Sequence, residues 1–224
     1  MIILDDVQFS KQSWQQRNRI RTPNGLQYLS VPVKTAGRLG QKILSCELVE
    51  QPFVKKMVKS LWANYAKAPF FECVIGELEA TMELAVSTNS LVEFNCALIS
   101  WMANRLGVTT PMIRASTLGV GGQRGEHVAT ICESVGADRY LSPSGSEGYL
   151  LEDKDAFEQR GISVRLQVFE HPRYVQRFAP FIPYACSLDL IFNVGPTAPE
   201  VMRSGRRPPR RLGSDYEVCP EVLI

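Results

Sequence analysis

The chain has 224 residues, of which 45% are hydrophobic and 21% are charged, and its formal net charge is +2. This length suits one large domain or two small ones, and the apolar fraction is sufficient for a sizeable core. A net charge so close to zero disfavours nucleic acid or a membrane surface as the partner of the whole chain. No apolar run is long enough to cross a bilayer, so the sequence predicts no membrane span.

The cysteines indicate a reducing compartment. None of the six lies in a Cys-x-x-Cys pair, and most have apolar neighbours. We therefore interpret them as free thiols and not as a disulfide frame or a zinc site. No signal peptide precedes the first strand, so the sequence predicts a cytoplasmic protein. The six are Cys46, Cys73, Cys96, Cys132, Cys186 and Cys219.

The first residues are apolar and run directly into two adjacent carboxylates, Asp5 and Asp6. This pattern is typical of a buried parallel strand that delivers acids to the edge of a sheet, where ligands of α/β proteins collect. Side chains alternate along a strand, so we expect at most one of the two acids to reach a site directly.

A β-hairpin is predicted next, over residues 17–22 and 26–33. Asn24-Gly25 is a strong hairpin-turn signal and would place Ile20 opposite Leu29. Alternation then places Arg17, Arg19 and Arg21 on one face of the hairpin. This face is either solvated or a cationic ribbon that faces an anionic ligand.

Asn18 shares the other, apolar face of this hairpin with Ile20, Leu29, Val31 and Val33. An unpaired amide there would cost ~1–3 kcal/mol, so Asn18 needs a partner. That partner is either the backbone or a ligand.

The remaining chain predicts an α/β fold with a mostly parallel sheet, flanking helices and a helical insertion. Three amphipathic helices at residues 52–67, 71–86 and 90–106 form a helical subdomain of about residues 50–107. Strands at 111–116, 139–141 and 162–169 then alternate with helices at 126–135, 153–160 and 181–192, which favours a parallel sheet. We expect a single α/β domain over residues 1–202. Residues 203–224, rich in Arg and Pro at first, are predicted to be a disordered tail, with an anionic partner as the alternative.

Two further positions could carry chemistry. His171 directly follows a predicted strand, and an imidazole is a suitable general base near neutral pH. Ser144 lies in a Ser/Gly loop after another strand, where backbone N–H groups either cradle an anion or form an ordinary turn. No pattern of metal ligands is present.

Several motifs follow one another in order along nearly the whole chain. They are Leu4-Asp5-Asp6-Val7-Gln8-Phe9 with Trp14, Arg17-Asn18-Arg19-Ile20, Tyr65-Ala66-Lys67-Ala68-Pro69, Tyr140-Leu141-Ser142-Pro143-Ser144, His171-Pro172-Arg173-Tyr174 and Ser187-Leu188-Asp189-Leu190-Ile191-Phe192-Asn193. Together they resemble the WbqC-like protein family.

This resemblance implies a bacterial protein associated with genes for O-antigen and other surface polysaccharides. It implies an acyl or aminoacyl (glycine) transferase that acts on sugars, and it points to no particular cofactor. Members of the family open with an additional strand and a Gln-Pro-x-Tyr-x-Pro segment before the Asp-Asp motif. We therefore expect a segment of that kind upstream of Met1.

The leading hypothesis is thus a transferase whose substrates are small molecules: an activated sugar and an acyl or aminoacyl donor. His171 would be the general base, and Asp5 or Asp6 would orient it or bind the acceptor. Arg17 and Arg19 would bind a phosphate or carboxylate group.

The other candidate substrate-binding residues are Asn18 and Ser144, as hydrogen-bond donors, together with Trp14 and Asn193 from the same motifs. Two alternatives are a non-catalytic nucleic-acid-binding module, built on the arginine ribbon and the Arg/Pro tail, and a scaffold within a biosynthetic complex.

Overall fold

The structure, a computed structural model, describes residues 1–50 and 52–214. The sequence predicts one domain over residues 1–202, whereas the chain divides into two compact units. Unit 1 contains Met1, Ile3–Pro111 and His171–Ser204, and unit 2 contains Ile2, Met112–Glu170 and the described residues from Gly205 onward. The chain therefore leaves unit 1 at residue 112 and returns to it at residue 171.

The strands are Ile2–Ile3 (β1), Arg17–Thr22 (β2), Gly25–Ser30 (β3), Ile113–Arg114 (β4), Arg139–Pro143 (β5), Ser163–Phe169 (β6) and Arg206–Arg211 (β7). The α-helices are Phe53–Tyr65 (α1), Phe71–Val86 (α2), Leu91–Arg105 (α3), Arg124–Ser134 (α4), Glu147–Glu152 (α5), Lys154–Glu158 (α6), Ser187–Val194 (α7) and Ala198–Ser204 (α8). In the described part of the chain, no helix is both long and apolar enough to cross a membrane.

In unit 1, β2 and β3 form the predicted antiparallel hairpin, but its register was predicted wrongly. Thr22 pairs with Gly25, so the turn is Pro23-Asn24, and Ile20 lies opposite Gln27 instead of Leu29. Pro23 suits the first turn position because its ring fixes φ. Among residues 22–25, Gly25 is the one with a positive φ, of 118°. A shift of two residues leaves every side chain on its predicted face.

The three predicted helices of unit 1 are confirmed as α1, α2 and α3. Ser90 caps α3, because its side-chain oxygen accepts a hydrogen bond from the Glu93 N–H at 3.4 Å. Gly107, two residues beyond the end of α3, has the positive φ of 62° expected at a helix C-terminus.

The core of unit 1 joins these helices to α7 through aromatic rings. Phe192 of α7 lies 5.0 Å from both the Tyr65 ring and the Phe71 ring, measured between centroids. The prediction began this helix at residue 181, whereas α7 begins at Ser187. Pro183 explains the late start, since it lacks an N–H and disfavours helical backbone at the preceding residue.

Unit 2 is an α/β unit with a three-stranded sheet in the order β5-β6-β7. Strands β5 and β6 are parallel, whereas β6 and β7 are antiparallel. Val164 and Leu166 of β6 pack in one core cluster with Val128 of α4, Leu150 of α5 and Phe157 of α6. The α/β fold class with an N-terminal hairpin is confirmed, although β7 adds an antiparallel neighbour to the parallel pair.

The Arg/Pro segment differs from the predicted disordered tail, because residues 206–211 form strand β7 against β6. Between Leu166 and Val168 the register shifts, so Pro208 and Pro209 oppose the single residue Gln167. Proline is tolerated at such a bulge on an edge strand because it removes no inner hydrogen bond. Residues 215–224, including Cys219, lie outside the described residues.

Candidate functional site

One face of the unit 1 hairpin carries two arginines stacked on exposed aromatic rings. The guanidinium of Arg17 lies 4.2 Å from the centre of the Tyr28 ring, and that of Arg19 lies 4.9 Å from the Trp14 ring. The Trp14 and Tyr28 side chains are 62% and 45% exposed. We call these four residues the Arg–aromatic surface; its rings hold the two cations at the protein surface.

Arg21, the third arginine of the predicted ribbon, is buried and does not face a ligand. It is 1% exposed, and its Nη2 donates hydrogen bonds to the main-chain oxygens of Phe178 at 3.3 Å and Pro180 at 2.9 Å. Its Nη1 donates to the main-chain oxygen of Thr22. The cationic ribbon therefore reduces to Arg17 and Arg19.

His171 lies in an aromatic cluster of unit 1 with Tyr174, Phe181 and Tyr184. Its ring centroid is 5.1 Å from that of Tyr184, and its Nδ1 is 2.9 Å from the carbonyl oxygen of Pro172. A carbonyl oxygen only accepts hydrogen bonds, so Nδ1 carries the hydrogen and Nε2 is the basic nitrogen of the neutral ring.

The His171 cluster and the Arg–aromatic surface are joined through Tyr184. Arg19 donates a hydrogen bond from Nη2 to the main-chain oxygen of Tyr184 at 3.2 Å. Tyr184 has a φ of 65°, which is uncommon for a residue with a side chain. A chain of contacts through Tyr184 thus links His171 to Arg19 and Trp14, which the sequence predicts as residues of one site.

A pocket of about 210 Å³ lies within unit 1, between the hairpin and the helices α1, α2 and α3. Its apolar wall combines residues of the hairpin with residues of the amphipathic helices. These are Ile20, Leu29, Val31, Met57, Leu61, Leu78, Met82, Leu98, Ile99, Met102 and Leu188. Its polar and aromatic lining is Trp14, Gln15, Gln16, Arg17, Asn18 and Asn95.

Asn18 is exposed and lines the pocket together with Ile20. Its Oδ1 accepts a hydrogen bond from the main-chain N–H of Arg19 at 2.8 Å. Asn95, on α3, donates from Nδ2 to the main-chain oxygen of Gln15 at 2.8 Å. Two amides therefore border an apolar pocket, an arrangement typical of small-molecule sites.

Cys186 also lines the pocket, directly before α7. It is buried, and burial raises the pKa of its thiol to about 11, although the N–H groups of Leu188 and Asp189 lower that pKa. The thiol is therefore protonated near neutral pH and is not an activated nucleophile.

A buried carboxylate, Asp189 of α7, accepts hydrogen bonds from three side chains. Tyr65 donates to Oδ1 at 2.8 Å, while Tyr174 and Gln176 donate to Oδ2 at 2.7 Å and 2.9 Å. Burial first, and then the charge of Asp189, raise the pKa of both Tyr65 and Tyr174, so both phenols remain donors. Sequence reasoning missed this network. The indication that could have revealed it is that Asp189 is the one acidic residue of the otherwise mostly apolar helix α7.

Through Tyr174 and Gln176, Asp189 supports the segment that carries His171. The Tyr174 ring is 6.2 Å from the His171 ring, between centroids. Gln176 donates from Nε2 to the main-chain oxygen of Ile182 at 3.0 Å and accepts from the Ile182 N–H at 2.8 Å. The carboxylate thus fixes both ends of the loop between residues 174 and 182.

Six predicted site residues do not line the pocket: His171, Arg19, Asp5, Asp6, Asn193 and Ser144. Asp5 is buried and Asp6 half-buried, and the Asp5 carbonyl accepts from the Leu44 N–H at 2.7 Å. Asn193 donates from Nδ2 to the main-chain oxygen of Asp189 at 2.7 Å, one turn back within α7. Ser144 belongs to unit 2, where it begins the 3₁₀ turn Ser144–Ser146 after β5.

The described cysteines are all free. Cys46, Cys132 and Cys186 are buried, Cys96 is half-buried and Cys73 is exposed. Among residues 1–50 and 52–214, no group of three or more His, Cys, Asp or Glu side chains is placed to hold a metal ion.

Comparison with known proteins gives the relationship of the chain. The sequence profile of the WbqC-like protein family matches residues 1–201. The chain belongs to the WbqC-like family. It is 31% identical over 209 residues to the uncharacterized protein Rv1507c of Mycobacterium tuberculosis, and the match covers 92% of this chain and 88% of that protein. No solved structure was found to match.

Proposed function

We propose that this WbqC-like protein is a transferase that moves an acyl or aminoacyl group onto an activated sugar or a similar small molecule. The biological context would be bacterial surface-polysaccharide biosynthesis, as the family resemblance implies. The observation that carries the proposal is the apolar pocket bordered by Arg17, Asn18 and Asn95. Such a pocket buries an apolar group, while its polar border orients a carbonyl or an anionic group.

The size of the pocket favours an acyl group over a complete nucleotide sugar. A dry apolar cavity of about 150 Å³ holds a benzene molecule, whereas pockets for whole drug-sized ligands measure about 300–1,000 Å³. The pocket, at about 210 Å³, lies between these sizes. The sugar would therefore lie outside it, on the exposed Trp14 ring and beside Arg19.

The proposed reaction is an acyl transfer from a thioester or an ester donor. The amine or hydroxyl group of the acceptor attacks the acyl carbonyl carbon and gives its proton to Nε2 of His171. The new C–N or C–O bond forms, the bond to the thiol or alcohol breaks, and the leaving group takes the proton from His171. Arg17 and Asn18 would bind the phosphate or carbonyl oxygens near this centre.

Other predicted roles remain proposals of the same kind. Asp5 or Asp6 would bind the acceptor or orient His171, and Ser144 and Asn193 would contribute hydrogen bonds to substrate. The free thiols of the described cysteines support a reducing compartment, the cytoplasm.

The test is a transfer assay with acyl thioesters and aminoacyl donors, comparing Met57→Phe with Leu84→Phe. Met57 is half-buried and lines the pocket, so the larger ring should fill part of it and raise KM for the acyl donor by at least about tenfold. Leu84 of α2 is 77% exposed, so its substitution is a matched control that should leave KM unchanged. Equal KM values in the two variants would contradict the assignment of the pocket.

The alternative of a nucleic-acid-binding module rests on the Arg–aromatic surface, since exposed rings beside arginines can stack bases. It predicts binding of single-stranded RNA or DNA that weakens steeply with salt, and no transfer activity. A titration at two salt concentrations separates it from the transferase. A scaffold would show neither activity nor such binding.

A further inference from the structure

The three-stranded sheet of unit 2 is unusually rich in arginine. Strands β5, β6 and β7 contain no Asp, Glu or Lys, but they contain Arg139, Arg165, Arg206, Arg207, Arg210 and Arg211. Two of these are neutralised, because Arg207 pairs with Glu170 at 2.5 Å and Arg210 pairs with Glu147 through a 2.6 Å hydrogen bond.

The other four arginines lie on the face of the sheet opposite the core. Val164 and Leu166 of β6 point into the core of unit 2, so Arg165 and Phe169 point away from it. Leu141 and Arg211 lie directly beside Arg165 on the neighbouring strands, and Arg206 lies beside Phe169. Arg139, two residues before Leu141, completes what we call the Arg sheet face: Arg139, Leu141, Arg165, Phe169, Arg206 and Arg211.

Within the part of the chain that the structure describes, the positive charge of this face is not balanced by carboxylates. Arg165 and Arg211 are direct cross-strand neighbours, and like charges in such pairs destabilise a sheet. Within residues 1–50 and 52–214, none of the four arginines of the face forms a salt bridge with a carboxylate. An external anion would remove the repulsion.

The extent of the face favours a ligand with many separate anionic groups. Residues 163–169 of β6 span roughly 20 Å, and three strands span about 10 Å in the other direction. Arg139 pairs with Ser163 at one end, and Arg206 pairs with Phe169 at the other. A single phosphate group cannot reach both ends, whereas a surface of phosphates can.

We propose that the Arg sheet face docks on the surface of an anionic phospholipid bilayer. The face presents Leu141, 57% exposed, and Phe169, 38% exposed, among its arginines. Apolar side chains enter the interfacial region while the guanidinium groups bind lipid phosphates. Single-stranded nucleic acid fits less well, because stacking needs several aromatic rings and Phe169 is the one aromatic residue of the face. This inference goes beyond the transferase activity and does not depend on it.

The test is co-sedimentation of the full chain with vesicles of phosphatidylcholine alone or with about one third phosphatidylglycerol. We expect binding to the anionic vesicles that weakens at high salt, and little binding to the neutral ones. Arg211→Gln should lower the partition coefficient about 5-fold, since one basic residue near an anionic surface contributes about that factor. At high salt, where the apolar contact dominates, Leu141→Ser should lower the partition coefficient more than Arg211→Gln does.

Lys154→Gln is the matched control, because it removes one positive charge from α6, which packs on the core side of the same sheet. Lys154 is exposed, so this variant should partition like the original chain. Unchanged melting temperatures show that the variants are folded. Equal binding to neutral and anionic vesicles, or equal effects of Arg211→Gln and Lys154→Gln, would overturn the proposal. So would tighter binding of a single-stranded oligonucleotide than of anionic vesicles.

Discussion

At His171 the main chain determines which ring nitrogen is basic. The Pro172 carbonyl accepts the Nδ1 hydrogen at 2.9 Å, so Nε2 has the lone pair that proton transfer requires. If His171 is the general base, His171→Ala should lower turnover by ~10²–10⁴-fold at an unchanged melting temperature. Added imidazole should then restore part of the activity. A variant with the original turnover would exclude this role.

Asp189 holds the loop between residues 174 and 182, next to His171, through Tyr174 and Gln176. Asp189→Ala leaves three donors, from Tyr65, Tyr174 and Gln176, without their acceptor, so we expect the free energy of unfolding to fall by about 3–5 kcal/mol. Urea denaturation measures this change. Tyr174→Phe removes a single hydrogen bond and should cost only about 1 kcal/mol. Equal losses in the two variants would show that the carboxylate does not act as a shared acceptor.

The residue scale also shows why sequence reasoning treated the three arginines of β2 alike. Alternation correctly places them on one face, but the environment of each comes from distant parts of the chain. Arg21 is surrounded by carbonyl groups of residues 178 and 180, more than 150 residues away. Arg19 meets Tyr184 in the same way. Local periodicity cannot indicate which cation such a segment will bury.

At the scale of elements, strong local signals in the sequence were sufficient to predict helices. The pairing of strands could not be predicted from them. Helix α2 has the predicted bounds, 71–86, because apolar periodicity is a local property. The hairpin was predicted with the wrong turn, since Asn24-Gly25 competes with Pro23 for the turn positions. Strand β7 was predicted as disordered because its Arg and Pro content is typical of tails, whereas β6 supplies the pairing partner.

The sequence also identified part of the candidate site. Trp14, Arg17 and Asn18 could be selected from their motifs, and they do line one pocket. The apolar wall of that pocket could not be selected, because residues such as Met57 and Met82 show the same helical pattern as ordinary core residues. Only tertiary packing distinguishes a residue that lines a cavity from one that fills a core.

The junction after α7 provides a test at this scale. Gly195 has a φ of 55° and a ψ of −123°, and a Cβ there would lie 2.4 Å from the Phe70 ring. Gly195→Ala should therefore lower the free energy of unfolding by about 2–4 kcal/mol, from steric overlap and backbone strain. Gly76→Ala is the control: Gly76 lies inside α2 with open space around it, so alanine should stabilise by about 0.5–1 kcal/mol. A smaller loss at Gly195 than at other glycines with positive φ would contradict this account.

For the whole molecule, acid stability depends on carboxylates in both units. The hydrogen bond from Arg210 lowers the pKa of Glu147 in unit 2, and the hydrogen bond from Arg38 lowers the pKa of Glu47 in unit 1. A carboxylate with a lowered folded-state pKa stabilises the fold above its unfolded-state pKa, near 4.5. That stabilisation is lost as the pH falls through the lower, folded-state value.

We therefore expect the urea midpoint to decrease between about pH 5 and about pH 3. Hydrogen exchange of backbone amides reports the same loss of stability for each unit separately. Glu147→Gln should make the exchange of the β6 and β7 amides less dependent on pH. It should leave the exchange of the hairpin amides in unit 1 unchanged. Glu47→Gln should give the opposite pattern. The same pH dependence in all variants would contradict the contribution of these two carboxylates.

Strand β7 also has a consequence for how the protein is handled. The match to the family profile ends at residue 201, before β7 begins. A chain shortened to that boundary would leave β6, with Val164, Leu166 and Val168, as an unprotected sheet edge with free N–H and C=O groups. Such an edge recruits strands from other molecules, whereas the prolines and arginines of β7 resist this pairing. The basic segment beyond this match would thus keep the protein from self-associating during folding and at high concentration.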